Sequence, residues 1–138
     1  MKQEVRARVF TKYHEHCAYC GKIIAYDEMQ VDHLIPKRLA EEGKVDWDIV
    51  ENENNYMPAC WRCNHYKRGN SLETFRTMIY EIPNKLHDRN YIFKVGEDFG
   101  NIKPIYCMPI VFYFERLKGG EGWWYGMIVC RLKASQRK

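Results

Sequence analysis

Two pairs of cysteines restrict what this chain can fold into more than any other feature. Each pair has the spacing Cys-x-x-Cys, and the pairs are Cys17 with Cys20 and Cys60 with Cys63. Four thiolates in such pairs suit a tetrahedral zinc ion and leave it no open position, so the ion would have a structural role. We therefore predict a zinc site that joins the turn at Cys17 to the segment that begins at Cys60.

The other cysteines and the nearby histidines leave alternatives open. His14 and His16 lie near Cys17 and could replace a cysteine as a zinc ligand, or they could be solvated histidines at the end of a helix. Cys107 and Cys130 stand alone in apolar surroundings, which is typical of buried free thiols. Chance pairs of ordinary buried thiols are the alternative to zinc for the two Cys-x-x-Cys pairs.

The interpretation of the cysteines depends on whether the cellular compartment of the protein is reducing or oxidising. Residues 1–17 carry charges throughout and lack the apolar segment of a signal peptide. No apolar run approaches the roughly 20 residues that span a bilayer, so we expect no membrane partner. The sequence thus favours a cytoplasmic protein, in which thiols stay reduced and available to a metal.

The order of the predicted elements is typical of a single α+β domain. Apolar residues at helical spacing predict an amphipathic helix within residues 2–13, and Gly21 permits a tight turn after the first cysteine pair. Apolar and polar residues alternate over residues 29–33, which predicts a β-strand that Pro36 ends.

The middle of the chain is predicted to be mainly helical. Residues 37–54 form a long, polar, partly helical loop in this interpretation, and a long loop in a compact domain is often functional. A short helix follows over residues 64–68. Asn70 is predicted to cap the next helix, which Pro83 stops, and residues 84–95 could form one more helix.

The C-terminal third has a different pattern. β-rich runs over residues 109–114 and 123–130 flank a glycine-rich turn, which predicts a β-hairpin. We expect the hairpin to be an extension over residues 101–138, packed on the domain that residues 1–100 form. Its tryptophans and basic residues could bind DNA, but we prefer a hairpin whose aromatic side chains cover the core, followed by a frayed basic tail.

The central motifs resemble those of a known family. The chain contains, in order, CAYCG, VDHLIPK and NNYMPACWRCNHYKRG. Together they resemble the zinc-containing HNH endonucleases over about residues 10–80. The resemblance implies a small ββα-metal, treble-clef-like core with structural zinc and flanking helices.

The resemblance also implies roles for particular residues. His33 matches the general base that takes a proton from the attacking water. Asp32 and Asn64 match the ligands of a catalytic divalent metal, and their oxygen atoms favour Mg²⁺ or Mn²⁺. Asn55 matches the residue that holds the loop and the histidine in place, with Asn54 as the alternative if the register is shifted by one.

Basic residues near these motifs are candidate contacts to nucleic acid. His65 competes with Asn64 for the metal, but the family places its ligand directly after the cysteine, so His65 is assigned to the substrate or to the surface. The candidate contacts are Lys37, Arg38, His65, Lys67 and Arg68. For each of them taken singly, a solvated surface position is the alternative.

The predicted function is metal-dependent hydrolysis of DNA phosphodiester bonds by a one-metal mechanism. The net charge of +4 permits a polyanionic partner without requiring one. The protein would act as a monomer that nicks one strand or as a homodimer that cuts both, and such stand-alone proteins are typical of phages and prophages. Three alternatives remain: a non-catalytic zinc-stabilised nucleic-acid-binding module, a degenerate family member kept for interaction, and a hydrolytic zinc enzyme.

Overall fold

The computed structural model describes residues 1–106 and 109–118. These residues divide into two compact units. The first unit consists of Met1–Phe75 with Phe112–Lys118, and the described parts of the second unit are residues 76–106 and 109–111. The predicted division of the chain at residue 100 stays a prediction.

The predicted N-terminal helix is confirmed as α1, Gln3–Thr11. It contains no glycine or proline, and Val9 is its buried residue. The Arg6 guanidinium donates hydrogen bonds to the backbone oxygens of Tyr26 and Met29, at 2.9 and 2.7 Å. These bonds tie α1 to the segment that leads into the first strand.

The turn after α1 depends on Gly21. Gly21 has a φ of +75°, a conformation that side chains other than glycine's rarely adopt, as the sequence predicted. A Cβ atom at this position would also lie 2.9 Å from the ring of Tyr113. The turn is closed by hydrogen bonds from the Cys17 amide to the Lys22 oxygen and from the Gly21 amide to the Cys17 oxygen.

A two-stranded antiparallel sheet follows, and it contains the predicted strand. Strand β1 is Gln30–His33 and strand β2 is Tyr56–Ala59, with Gln30 opposite Ala59 and His33 opposite Tyr56. The buried residue of β1 is Asp32, rather than an apolar residue from the alternating pattern. The reason is that Asp32 has buried polar partners, described below.

The loop between the strands is partly helical, as predicted. It contains α2 (Lys37–Glu41), α3 (Trp47–Val50) and a 3₁₀ turn (Glu53–Asn55). Helix α3 packs against α2. The 3₁₀ turn leads directly into β2, so the end of the loop is held beside the sheet.

Helix α4 (Trp61–Lys67) begins directly after Cys60, three residues earlier than predicted. It ends at Arg68, whose φ is +51°. The predicted cap at Asn70 is wrong. The amide of Asn70 donates to the backbone oxygen of Lys67, and the Ser71 hydroxyl accepts from the Thr74 amide at the start of the next helix.

Three helices follow: α5 (Leu72–Tyr80), α6 (Ile82–Arg89) and α7 (Tyr91–Asp98). Helices α6 and α7 belong to the second unit, and so does α5 after its first turn. Pro83 does not stop α5. It lies in the first turn of α6, where a missing N–H has no cost. The single helix predicted over residues 84–95 is wrong, because Asn90 divides it by accepting hydrogen bonds from the first amides of α7.

The last described element corrects the predicted hairpin. No strand is found in residues 109–118, and Tyr113–Lys118 forms helix α8. The Glu115 carboxylate accepts a hydrogen bond from the Phe112 amide, which starts a helix where the residue pattern indicated a strand. The Phe114 amide donates to the Ala18 oxygen, so this segment packs on the first cysteine turn. The predicted second arm, residues 123–130, and both isolated cysteines lie outside the described residues.

Among the described residues, no helix is both long and apolar enough to cross a bilayer.

Candidate active site

The four cysteines of the two pairs converge on one point. Their sulfur atoms all lie within 4.8 Å of one another, and those of Cys20 and Cys60 are 3.9 Å apart. Tetrahedral zinc with Zn–S bonds of about 2.3 Å needs sulfur atoms about 3.8 Å apart. The cluster therefore fits the predicted structural zinc site, with ligands Cys17, Cys20, Cys60 and Cys63.

The thiols of the cluster shift one another's pKa values in opposite directions. Hydrogen bonds from Cys17 and Cys63 lower the pKa of Cys20 to about 2. The contact with Cys20 raises the pKa of Cys17, contacts with Cys17 and Cys20 raise the pKa of Cys63, and burial adds to both increases. Among the described residues, all four members of the cluster are cysteines. The ring of His16 instead stacks on Tyr113 at 5.1 Å, so the histidine alternative is not needed to complete the site.

Backbone hydrogen bonds attach the cysteine turns to the sheet. The Ala18 amide donates to the Pro58 oxygen of β2 at 2.8 Å, and the Asn64 amide donates to the Cys60 oxygen at 3.0 Å. Helix α4 therefore starts at the cysteine cluster, and it packs against β1. The cluster thus fixes the position of α4 relative to the strand that bears Asp32 and His33.

Asp32 lies in the core beneath α4, with 6% of its surface exposed. Its Oδ2 accepts a hydrogen bond from the Tyr19 hydroxyl and lies 2.9 Å from the Lys67 ammonium. Burial, with the Asp32 charge, raises the pKa of Tyr19, which keeps its hydroxyl a donor. Tyr19 was not predicted as a site residue; its position inside the first cysteine pair is a signal that sequence reasoning could have used.

The prediction that Lys67 contacts nucleic acid is wrong. Lys67 has 0% of its surface exposed, so it cannot reach a phosphate. Its ammonium also donates to the backbone oxygen of His33 at 2.9 Å. A buried charge needs a paired partner, and Lys67 has one in Asp32. Lys67 on α4 therefore holds the end of β1 in place.

His33 lies at the end of β1, half-buried against β2. Its ring makes an edge contact with Tyr56 at 5.0 Å. Burial lowers the pKa of His33 and nearby Lys37 lowers it further, while Glu51 and Asp32 oppose the shift. The lowered pKa favours a neutral imidazole, which can accept a proton at neutral pH.

The Asn55 side chain holds the segment that follows His33. Its Oδ1 accepts from the Ile35 amide at 2.7 Å, and its Nδ2 donates to the Ile35 and Val50 oxygens, both at 2.9 Å. These are the contacts that the predicted positioning role requires. The alternative, Asn54, is exposed and takes part in hydrogen bonds through its backbone.

Asn64 lies in the first turn of α4 and is partly buried. It precedes Lys67 by three residues, so the two side chains lie on the same face of the helix. Lys67 contacts β1, and Asn64 stands one helical turn closer to the cysteine cluster.

A further carboxylate beside His33 was not foreseen. Glu51 Oε2 lies 3.7 Å from His33 Nε2, and hydrogen bonds from Lys37 and Tyr56 lower the pKa of Glu51 to about 2. In the sequence Glu51 stands in a run of acidic and amide residues that resembles a solvated loop. Its proximity to His33 follows from the folding of the loop, which no local pattern indicates.

The other candidate contacts to nucleic acid lie at the surface. Lys37 pairs with Glu51 at 2.5 Å, and Arg38 pairs with Glu42 at 2.6 Å. The exposed ring of His65 stacks on Trp61 at 4.8 Å, and Arg68 is exposed at the end of α4. All four residues, Lys37, Arg38, His65 and Arg68, can be reached by a ligand.

Comparisons with known proteins fit this arrangement. No curated protein and no solved structure is significantly similar to the chain. A family model, described as HNH endonuclease, matches residues 17–69, which run from the first cysteine of the cluster to the second residue after α4. Residues 17–69 therefore match an HNH endonuclease domain, and such a domain indicates a nuclease or another function related to nucleic acid.

Proposed function

We propose that this protein is a metal-dependent endonuclease that hydrolyses DNA phosphodiester bonds with His33 as the general base. The observation that carries the proposal is that contacts from three residues hold His33 and the chain next to it. Asn55 holds the loop after it, Lys67 holds its backbone oxygen, and Tyr56 packs against its ring. A general base has to be held in position to take a proton from water at a phosphate.

His33 would take a proton from the attacking water. Its imidazole is favoured in the neutral form, as a base at neutral pH must be. One side of the ring faces Tyr56 and Glu51. The attacking water would then approach the other ring nitrogen, Nδ1.

The donor set of Asp32 and Asn64 fits a hard divalent cation. Oδ2 of Asp32 accepts the hydrogen bond from Tyr19 and pairs with the Lys67 ammonium. Among the described residues, Oδ1 of Asp32 has no hydrogen-bond partner. Oδ1 of Asp32 and the side-chain oxygen of Asn64 would hold Mg²⁺ or Mn²⁺. When bound, the ion would supply charge stabilisation for the scissile phosphate and the leaving oxygen. Because the Lys67 ammonium already neutralises part of the carboxylate charge, we expect modest metal affinity.

The surface residues would orient the DNA. Arg38 and Arg68 carry exposed guanidinium groups that can meet phosphate oxygens, and Lys37 is half-exposed beside His33. Contacts of this kind fix the position of the duplex and do not recognise its base sequence. We therefore expect cleavage with little sequence preference and with a strong dependence on salt.

The proposal is tested by incubating the zinc-loaded protein with supercoiled plasmid, with and without added Mg²⁺ or Mn²⁺. Cleavage is expected only with the added metal. In Asn64→Ala the metal concentration for half-maximal cleavage should rise by about 10- to 100-fold, because a ligand is lost. Asn54→Ala, which removes an exposed amide, is the matched control and should behave as the unchanged protein.

The products distinguish the remaining possibilities. Nicked circles indicate that one strand is cut by a monomer, and linear DNA without a nicked intermediate indicates a homodimer. A protein that shifts DNA in a gel but cleaves no plasmid, single-stranded DNA or RNA would contradict the proposal. It would support a zinc-stabilised binding module instead.

A further inference from the structure

Nε2 of His33 is a buried polar atom without a hydrogen-bond partner among the described residues. The nearest carboxylate oxygen described is Oε2 of Glu51, at 3.7 Å. This distance is longer than a hydrogen bond, which needs about 3.2 Å or less. Hydrogen bonds of catalytic groups are often long without substrate and shorten in the complex. Oε2 of Glu51 is therefore the candidate partner of Nε2.

Glu51 is held in this position by two other groups. Its Oε2 accepts a hydrogen bond from the Tyr56 hydroxyl at 2.8 Å, and its Oε1 lies 2.5 Å from the Lys37 ammonium. The Tyr56 hydroxyl also bonds to the Glu51 backbone oxygen at 2.9 Å. Tyr56 is opposite His33 in the sheet, so one residue supports both members of the pair.

The chain around Glu51 is fixed as well. Glu51 caps the C-terminal end of α3, and the preceding residue, Val50, is fully buried. The Val50 oxygen accepts a hydrogen bond from the Asn55 side chain, which also binds the loop after His33. A single amide side chain therefore joins the backbone of Ile35, two residues after His33, to that of Val50, directly before Glu51.

We propose that Glu51 is a positioning residue for His33: its carboxylate keeps the imidazole proton on Nε2 and leaves Nδ1 as the atom that accepts a proton from water. The catalytic consequence rests on the function proposed above, whereas the position of the proton does not. Glu51 itself touches neither water nor phosphate in this role.

The proposal follows from the hydrogen-bonding capacities of the two side chains. A neutral imidazole has one N–H donor and one acceptor nitrogen, and an ionised carboxylate only accepts. The nitrogen that faces the carboxylate must therefore carry the proton. The other nitrogen then presents its lone pair, and the ring cannot turn without losing the contact.

The test is the ¹⁵N spectrum of the imidazole nitrogens in zinc-loaded protein, without divalent metal or DNA, at a pH where His33 is neutral. The chain has five histidines, and the His33 signals are identified by their absence in His33→Ala. In the unchanged protein Nε2 should show the shift of a protonated nitrogen and Nδ1 that of an unprotonated one. Glu51→Ala should give averaged shifts, which indicate a mixture of the two tautomers.

Glu53→Ala is the matched control. Glu53 lies in the same loop and pairs with Arg8 at 2.7 Å, away from His33. The spectrum of Glu53→Ala should still show His33 protonated at Nε2. Glu51→Met, which keeps the length of the side chain but has no oxygen to accept a hydrogen bond, decides the question if Glu51→Ala does not fold. A Glu51 variant that keeps the Nε2–H form unchanged would overturn the proposal.

Cleavage kinetics separate this proposal from the nuclease proposal. Glu51→Met should lower kcat by roughly 10-fold or more and leave KM unchanged, because the residue acts on the base and not on DNA binding. Averaged imidazole shifts in a protein that cleaves nothing would support the positioning role and contradict the nuclease. Unchanged kcat in Glu51→Met of a protein that does cleave would contradict a catalytic consequence.

Discussion

Removal of zinc is expected to unfold the HNH domain, residues 17–69. The four ligands join the turn after α1 to the start of α4, and the sheet between them has only two strands. So small a core gives little stability by itself, and structural zinc contributes about 10 to 16 kcal/mol in small zinc domains. A strong zinc chelator should therefore abolish the cooperative thermal unfolding transition seen by circular dichroism, and added zinc should restore it.

A matched pair of variants makes the zinc experiment specific. Cys20→Ser removes a ligand and should lose both the bound zinc and the folded spectrum. His16→Ala removes a side chain that lies near the ligands but stacks on Tyr113, and it should keep one zinc ion per chain. A Cys20→Ser protein that retains zinc and the same unfolding temperature would show that the cluster does not hold the domain together.

Lys67→Met is expected to destabilise the protein by about 3 to 5 kcal/mol, the usual cost of removing one partner of a buried ion pair. Lys67 is fully buried and lies 2.9 Å from Oδ2 of Asp32, so the variant leaves a buried carboxylate with only the Tyr19 hydroxyl. Met has a similar length, so little volume is lost. Urea unfolding of the zinc-loaded protein measures the loss.

Two further variants show whether the ion pair is the cause. Arg38→Met breaks an exposed pair with Glu42 and should cost about 1 kcal/mol or less. The double variant Lys67→Met with Asp32→Asn removes both charges and should recover part of the stability lost in Lys67→Met alone. If Lys67→Met costs no more than Arg38→Met, the buried pair does not stabilise the fold.

The parts of the site that the sequence predicted are those fixed by short spacings. Two Cys-x-x-Cys pairs form a cluster wherever the turns meet, the Asp-His pair ends β1, and Asn55 directly precedes β2. The first helix, the tight turn at Gly21 and strand β1 also come from local patterns, namely helical spacing, glycine and alternation.

The parts that were missed depend on contacts between distant residues. Lys67 stands in a basic run that is typical of a surface, and only the packing of α4 on β1 shows that it is buried against Asp32. Glu51 meets His33 because the long loop folds back along the sheet. At residues 109–114 the aromatic pattern favoured a strand, but Glu115 caps a helix there.

Plasmid cleavage by His33→Ala, compared with His65→Ala at equal zinc content, tests the central claim most directly. His33 is the proposed base, and His65 is an exposed histidine stacked on Trp61. With Mg²⁺ or Mn²⁺ present, loss of a general base should lower the cleavage rate by roughly 10²- to 10⁴-fold. His65→Ala should retain most of the rate. Equal cleavage by the two variants would contradict the assignment of His33 as the base of this nuclease.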